Sequence, residues 1–136
     1  MLFFAFGICY KTLRRQTWKI FQNQFQKQTT TASKCKYFTS KEENQNYLEI
    51  HHLVPREFSY EFDTSIEFVD NYIPLCPHCH RKIHKAVDRE RIPMINFLFN
   101  IKKDKFKENN LLKTVNDKNL DIKLLHKFYH VNEEEI

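Results

Sequence analysis

Apolar and polar positions alternate in "YLEIHHLV" and the residues favour β structure, so Tyr47–Val54 reads as a strand ending at Pro55. A polar and aromatic loop follows, "REFSYEFDTSIEFVD", and then "NYIPL" reads as a second short strand. "CPHCHRKIHKAV" opens on a Cys-x-x-Cys turn and takes a helical pattern from about His78. Upstream, Leu13, Trp18, Ile20, Phe21 and Phe25 recur at roughly helical spacing, and the polar run "QKQTTTASK" reads as a linker. Downstream, "INFLFNI" and "LDIKLLHKFY" each supply an apolar helix face, the second expected to be capped by Asp117. No internal repeat is visible. The pattern divides the chain into a helical or poorly ordered lead-in and linker at 1–33, a central domain at 34–87 and a helical extension at 88–136. The expected fold class is α+β.

Composition narrows this picture. A chain of 136 residues, 41% hydrophobic and 29% charged, has the balance of a globular protein. Its single glycine, Gly7, excludes the glycine-rich phosphate cradles of the P-loop and Rossmann kinds. The net charge of +5 favours a polyanionic partner such as nucleic acid. The opening "MLFFAFGICY" is too short to span a bilayer, and its first positive charge, Lys11, comes after the apolar stretch, unlike a signal peptide. The expected compartment is therefore a reducing cytoplasm, where Cys-x-x-Cys reads as a metal knuckle and not as a disulfide. No membrane partner is expected.

The unusual chemistry is concentrated. Five of the seven histidines and three of the four cysteines lie in the central region. His80 and His84, four apart on a helical pattern, share a face and can grip one metal ion, or can be two solvent-exposed rings in a basic segment. Cys76 and Cys79 have the spacing of a zinc knuckle. Cys79 and His80, as neighbours, are poorly placed to share a metal with His84. The spacing is also wrong for a DNA-reading Cys-Cys-His-His finger. Two separate sites follow: one sulfur-rich and structural, the other nitrogen-rich and needing a further ligand, for which His51 is the candidate. Adjacent strand residues face opposite ways, so His52 stays off that metal. An imidazole of ordinary pKa, about 6.5, can take a proton from water near neutral pH.

"YLEIHHLVP", then Asn71 in "VDNYIPL", then "CPHCHRKIH" resemble the HNH endonucleases of the ββα-metal fold. The resemblance covers roughly residues 35–87. It implies a small ββα-metal domain with helical N- and C-terminal flanks, acting as a metal-dependent DNA endonuclease. By it, His51, His80 and His84 match metal ligands, His52 the general base, and Asn71 the residue that braces the loop. It implies one divalent ion at the catalytic site. Imidazole ligands favour Zn, Ni or Mn over Mg, without deciding which serves. Relatives of this kind often hold a structural zinc between two Cys-x-x-Cys knuckles. Here "SKCKYFTSK" offers Cys35 alone, with Phe38 where a partner would stand. Cys35, Cys76 and Cys79 either bind zinc with a fourth, unidentified ligand or form an incomplete site.

Arg56, Arg81, Lys82 and Lys85 read either as phosphate contacts or as solubilising charge. Lys102, Lys103, Lys105 and Lys107 read as DNA contacts or as a solvated helix face. His78 is expected to be exposed, and His126 and His130 to be packing or surface residues. Beyond DNA, the candidate partners are a second copy of the chain or a specificity protein, because so short a chain shows no recognition domain. The alternatives are a non-catalytic, zinc-stabilised DNA-binding or adaptor module, and a truncated nuclease remnant.

Overall fold

The computed structural model describes residues 38–42, 44, 46–108, 113–117, 119–132 and 134. The expected lead-in helix and Cys35 lie outside them. The element order is strand β1 (Glu49–His52), 3-10 turns at Arg56–Glu61 and Val69–Asn71, strand β2 (Tyr72–Leu75), and helices α1 (Pro77–Lys85), α2 (Asp88–Glu108) and α3 (Ile122–Phe128). β1 and β2 pair as a two-stranded antiparallel sheet. The fold is thus α+β, a small ββα arrangement with a helical C-terminal flank. β1 is shorter than the alternation predicts. Leu53 leaves the ladder by donating its N–H to the carbonyl of Asn71, which ends the strand before Pro55.

By their contacts, the residues form two units. The first takes the described residues up to His51 together with Ile73–His80. Its turn closes through Asn44 N–H on the carbonyl of Ser40, with Asn44 at φ 50°, a left-handed conformation that asparagine tolerates. Thr39 and Asn46 bridge across it, and the rings of Phe38 and Tyr47 stack at 5.0 Å. Leu48, Ile73, Leu75, Cys76 and Cys79 supply its buried side chains.

The second unit takes His52–Tyr72 with the chain from Arg81 onward. Its core is built from Leu53, Val54, Ile66, Ile83, Ile95, Leu98, Phe106 and Leu125, all essentially inaccessible. Each aliphatic side chain buried this fully contributes about 1.5–3 kcal/mol. α2 packs against the Val69–Asn71 turn and against α3, and Phe58 stacks on Phe128 with ring centroids 4.4 Å apart. Among the described residues, no helix is long and apolar enough to cross a membrane.

Two expectations change. α3 is capped by Asp121, whose carboxylate accepts the Leu124 N–H at 2.8 Å. Asp117 instead sits at φ 55° in the preceding turn, where its carboxylate accepts from Lys113. Both aspartates precede the apolar run, and only the one with extended backbone immediately before the first helical residue can cap it. Lys102 is not part of a solvated face. It is 6% exposed and reaches Asp70 at 3.4 Å, and burial depresses its pKa. Lys103, Lys105 and Lys107 are exposed, with Lys105 paired to Glu108. His126 is buried and hydrogen-bonds Asn96 at 2.7 Å, a packing role, whereas His130 is exposed.

Candidate active site

The side-chain alternation of β1 and the turn of α1 decide where the histidines point. His51 falls on the inward side of β1 and is 2% exposed. His80 stands in the first turns of α1, and the two rings meet edge-on with centroids 5.3 Å apart. His84 follows one turn later on the same helix face. One ligand atom from each of His51, His80 and His84 lies within 4.8 Å of the other two, with exposure rising from buried His51 through His80 to exposed His84. Metal–nitrogen bonds are about 2.0–2.1 Å, and these three imidazoles would hold one divalent ion of the borderline kind.

Glu49, two residues before His51, is part of this arrangement, although nothing marks it along the chain beyond its place in "YLEIHH". Its Oε2 lies 2.8 Å from His80 Nδ1. A carboxylate that accepts at this distance places the hydrogen on Nδ1 and leaves Nε2 with its lone pair.

His52 faces the other way. Its Nε2 is 3.3 Å from Glu67 Oε2, and its ring meets the ring of Tyr72 edge-on at 4.9 Å. Glu67 is held from three sides, by the Tyr72 hydroxyl at 2.6 Å, by His52, and by Arg56 Nε at 3.0 Å on its other oxygen. The Tyr72 hydrogen bond is the main reason its carboxyl stays below the ordinary carboxylate range, with His52 and Arg56 adding to the effect.

Asn71 is fully buried at the end of the Val69–Asn71 turn. Its Oδ1 accepts the Val54 N–H at 2.7 Å, while its Nδ2 donates to the carbonyls of Val54 at 3.2 Å and Ile66 at 3.0 Å. One side chain therefore ties the segment just after His52 to the segment just before Glu67. A second tie comes from Tyr129, beyond α3, whose hydroxyl donates to the Leu53 carbonyl at 2.9 Å. The guanidinium of Arg91 donates to the Tyr129 carbonyl and pairs with Asp88 at 3.0 Å.

Cys76 and Cys79 are both buried at the start of α1, with the Cys79 N–H on Cys76 Sγ at 3.4 Å. His78, between them, is exposed. Of the basic residues singled out, Arg81 and Lys85 are exposed and lie one helical step beside His80 and His84. Lys82 is paired with Glu90 at 3.3 Å, and Arg56 is 73% exposed but engaged with Glu67. The Glu67–His52, Glu49–His80 and Tyr129–Leu53 contacts span 15, 31 and 76 positions along the chain, beyond the reach of spacing rules.

Residues 34–86 match the family model of the HNH endonuclease. No curated protein and no solved structure matches the chain.

Proposed function

We propose that this HNH domain is the catalytic part of a metal-dependent DNA endonuclease. The observation that supports the reading most strongly is the division of labour along β1. His51 joins His80 and His84 in a group able to hold one divalent ion, while its neighbour His52 is directed elsewhere and backed by a carboxylate. When bound, the ion supplies positive charge to the phosphoryl oxygens and to the leaving 3′-oxygen. Everything else falls to side chains of this chain. His52 takes a proton from a water molecule as that water's oxygen forms a bond to phosphorus. The bond from phosphorus to the 3′-oxygen breaks, the leaving oxygen gains a proton from solvent, and the products end in 5′-phosphate and 3′-hydroxyl. Asn71 keeps the segment after His52 in place, and Glu49 fixes the ring of His80.

Arg81 and Lys85, flanking the histidine stripe of α1, serve as phosphate contacts, with Lys82 and Arg56 released from Glu90 and Glu67 when DNA arrives. Binding through the backbone alone makes affinity fall steeply with salt. Cys76 and Cys79, together with Cys35, hold a structural zinc in this reading, and their burial at the start of α1 suits such a knuckle. The functional domain is 34–87, the residues from 88 onward its helical extension, and the protein acts in the cytoplasm as a monomer, a homodimer or with a specificity partner.

The test is nicking of supercoiled plasmid by the purified chain after chelation and add-back of Zn, Ni, Mn or Mg. Nicking should require added metal, and His52→Ala should lower it at least ~10²-fold while metal binding persists. If the wild type binds metal and DNA yet never nicks with any of these ions, the catalytic reading fails and the domain is an adaptor or a degraded nuclease.

A further inference from the structure

The chain from Asp88 onward lies beyond the stretch that matches the HNH family model, and none of the proposed ligands or the base belongs to it. Yet its side chains reach the ends of two elements that carry them. Tyr129 is the hub. Its hydroxyl donates to the Leu53 carbonyl at 2.9 Å and lies 3.5 Å from the carbonyl of His52 itself. Its own carbonyl accepts from one terminal nitrogen of Arg91, whose other terminal nitrogen reaches the carbonyl of His84 at 3.5 Å. Asp88 sets the guanidinium in turn, at 3.0 Å from Nε, and the second oxygen of Asp88 accepts the Asn132 N–H at 2.8 Å.

The last turn of a helix leaves carbonyls beyond its own ladder of hydrogen bonds, and a cation placed there also meets the negative end of the helix dipole. His84 stands in the last turn of α1, which runs on into Ala86 and Val87 and not into a glycine. The Arg91 guanidinium meets that turn from outside. Its planar fork addresses the oxygens of His84, Tyr129 and Asp88 together, which a lysine ammonium cannot do in one fixed geometry. The Tyr129 end is itself anchored, because His126 is bonded to Asn96 of α2 at 2.7 Å and Phe128 is stacked on Phe58 of the loop after β1.

We propose, on the nuclease reading above, that Arg91 and Tyr129 are positioning residues. Through them the extension clamps the His84 end of α1 and the His52 end of β1 to a single point, and so sets a metal ligand and the base in register.

The competing account is that the extension only adds stability. Metal affinity and turnover separate the two in the full chain, with each variant checked to be folded by circular dichroism at the assay temperature. Nickel is the probe for affinity, because imidazoles suit it whereas thiolates select zinc. Arg91→Lys keeps the charge and loses the fork, so calorimetric titration should show nickel binding weakened about tenfold, the low end of what losing an outer partner costs a metal ligand. Tyr129→Phe keeps the ring and loses the bond beside His52. It should lower kcat for plasmid nicking about 3- to 10-fold, less than the roughly 10²-fold of a 1 Å misplacement, with KM changed less than about twofold. Ile95→Val is the control: it trims a buried side chain of α2, destabilises to a similar degree and touches neither tie. It should leave nickel affinity and kcat at their wild-type values.

If Arg91→Lys binds nickel as tightly as the wild type, if Tyr129→Phe turns over as fast, or if Ile95→Val shows the same losses, the clamp is overturned and the extension is a stabilising flank. If the wild type never nicks, the nuclease reading fails and the nickel titration alone decides. A tenfold weakening in Arg91→Lys then upholds the grip on His84, and an unchanged affinity removes it.

Discussion

Two carboxylate–histidine pairs stand on the two sides of one short strand, and they are built differently. On the His51 side, Glu49 holds His80 at 2.8 Å with both side chains mostly shielded, 25% and 31% exposed. On the His52 side, Glu67 holds His52 at 3.3 Å, itself 43% exposed and shared with Tyr72 and Arg56. The two imidazoles are almost equally shielded, His52 at 22% and His80 at 25%, so the difference lies in the carboxylates and in how many partners each has. On the function proposed above, the Glu49 pair has the one task of fixing a ligand atom, whereas the more exposed Glu67 is held by groups that can exchange partners.

The largest expected effect comes from removing the frame of the open side. Asn71→Ala deletes three hydrogen bonds inside a fully buried site and leaves the Val54 N–H and the Val54 and Ile66 carbonyls without that partner. Unmet buried groups cost about 1–3 kcal/mol each, so urea unfolding should show a loss of roughly 3–5 kcal/mol. A loss below about 1 kcal/mol would mean that the loop is held by something other than Asn71. The next effect separates the two pairs. Glu49→Gln should weaken metal binding about 10- to 100-fold in a calorimetric titration, the usual cost of losing a ligand's outer partner. Glu67→Gln should leave the metal affinity of the same titration unchanged. Equal losses in the two variants would show that the faces of β1 are not independent.

What could be read along the chain and what could not follows from range. His80 and His84 declare themselves because helical neighbours are fixed by local geometry, and the His51–His52 pair declares itself because a strand alternates. Asn71 was reached only through the resemblance, since nothing in "VDNYIPL" says that its amide folds back on Val54, 17 positions away. Lys102 belonged by pattern to a run of exposed lysines, yet it is buried against Asp70 of the Val69–Asn71 turn. A helical charge run does not reveal which member points inward when the apolar stripe is interrupted. Glu49 and Glu67 each sit two residues or fewer from an apolar strand or loop position and look like ordinary polar filler. Only the approach of His80 and His52 gives them a role.

The smallest expected effect concerns the C-terminal tie to the His52 side. Tyr129 is buried, and its hydroxyl donates to the Leu53 carbonyl, one residue beyond His52. Tyr129→Phe keeps the ring and loses that bond, so it should cost about 1 kcal/mol. Burial pushes the phenol far above its ordinary value of 10.0, and the nearby Arg91 offsets only part of that shift. The sign follows from linkage: a folded-state value raised above the unfolded one adds stability that is whole below pH 10.0 and is lost as the pH climbs above it. Urea midpoints should therefore separate wild type from Tyr129→Phe at pH 8 and converge near pH 11. A gap that stays constant to pH 11 would mean that Tyr129 is not shielded in the folded chain, and that the extension does not brace the strand end that presents His52.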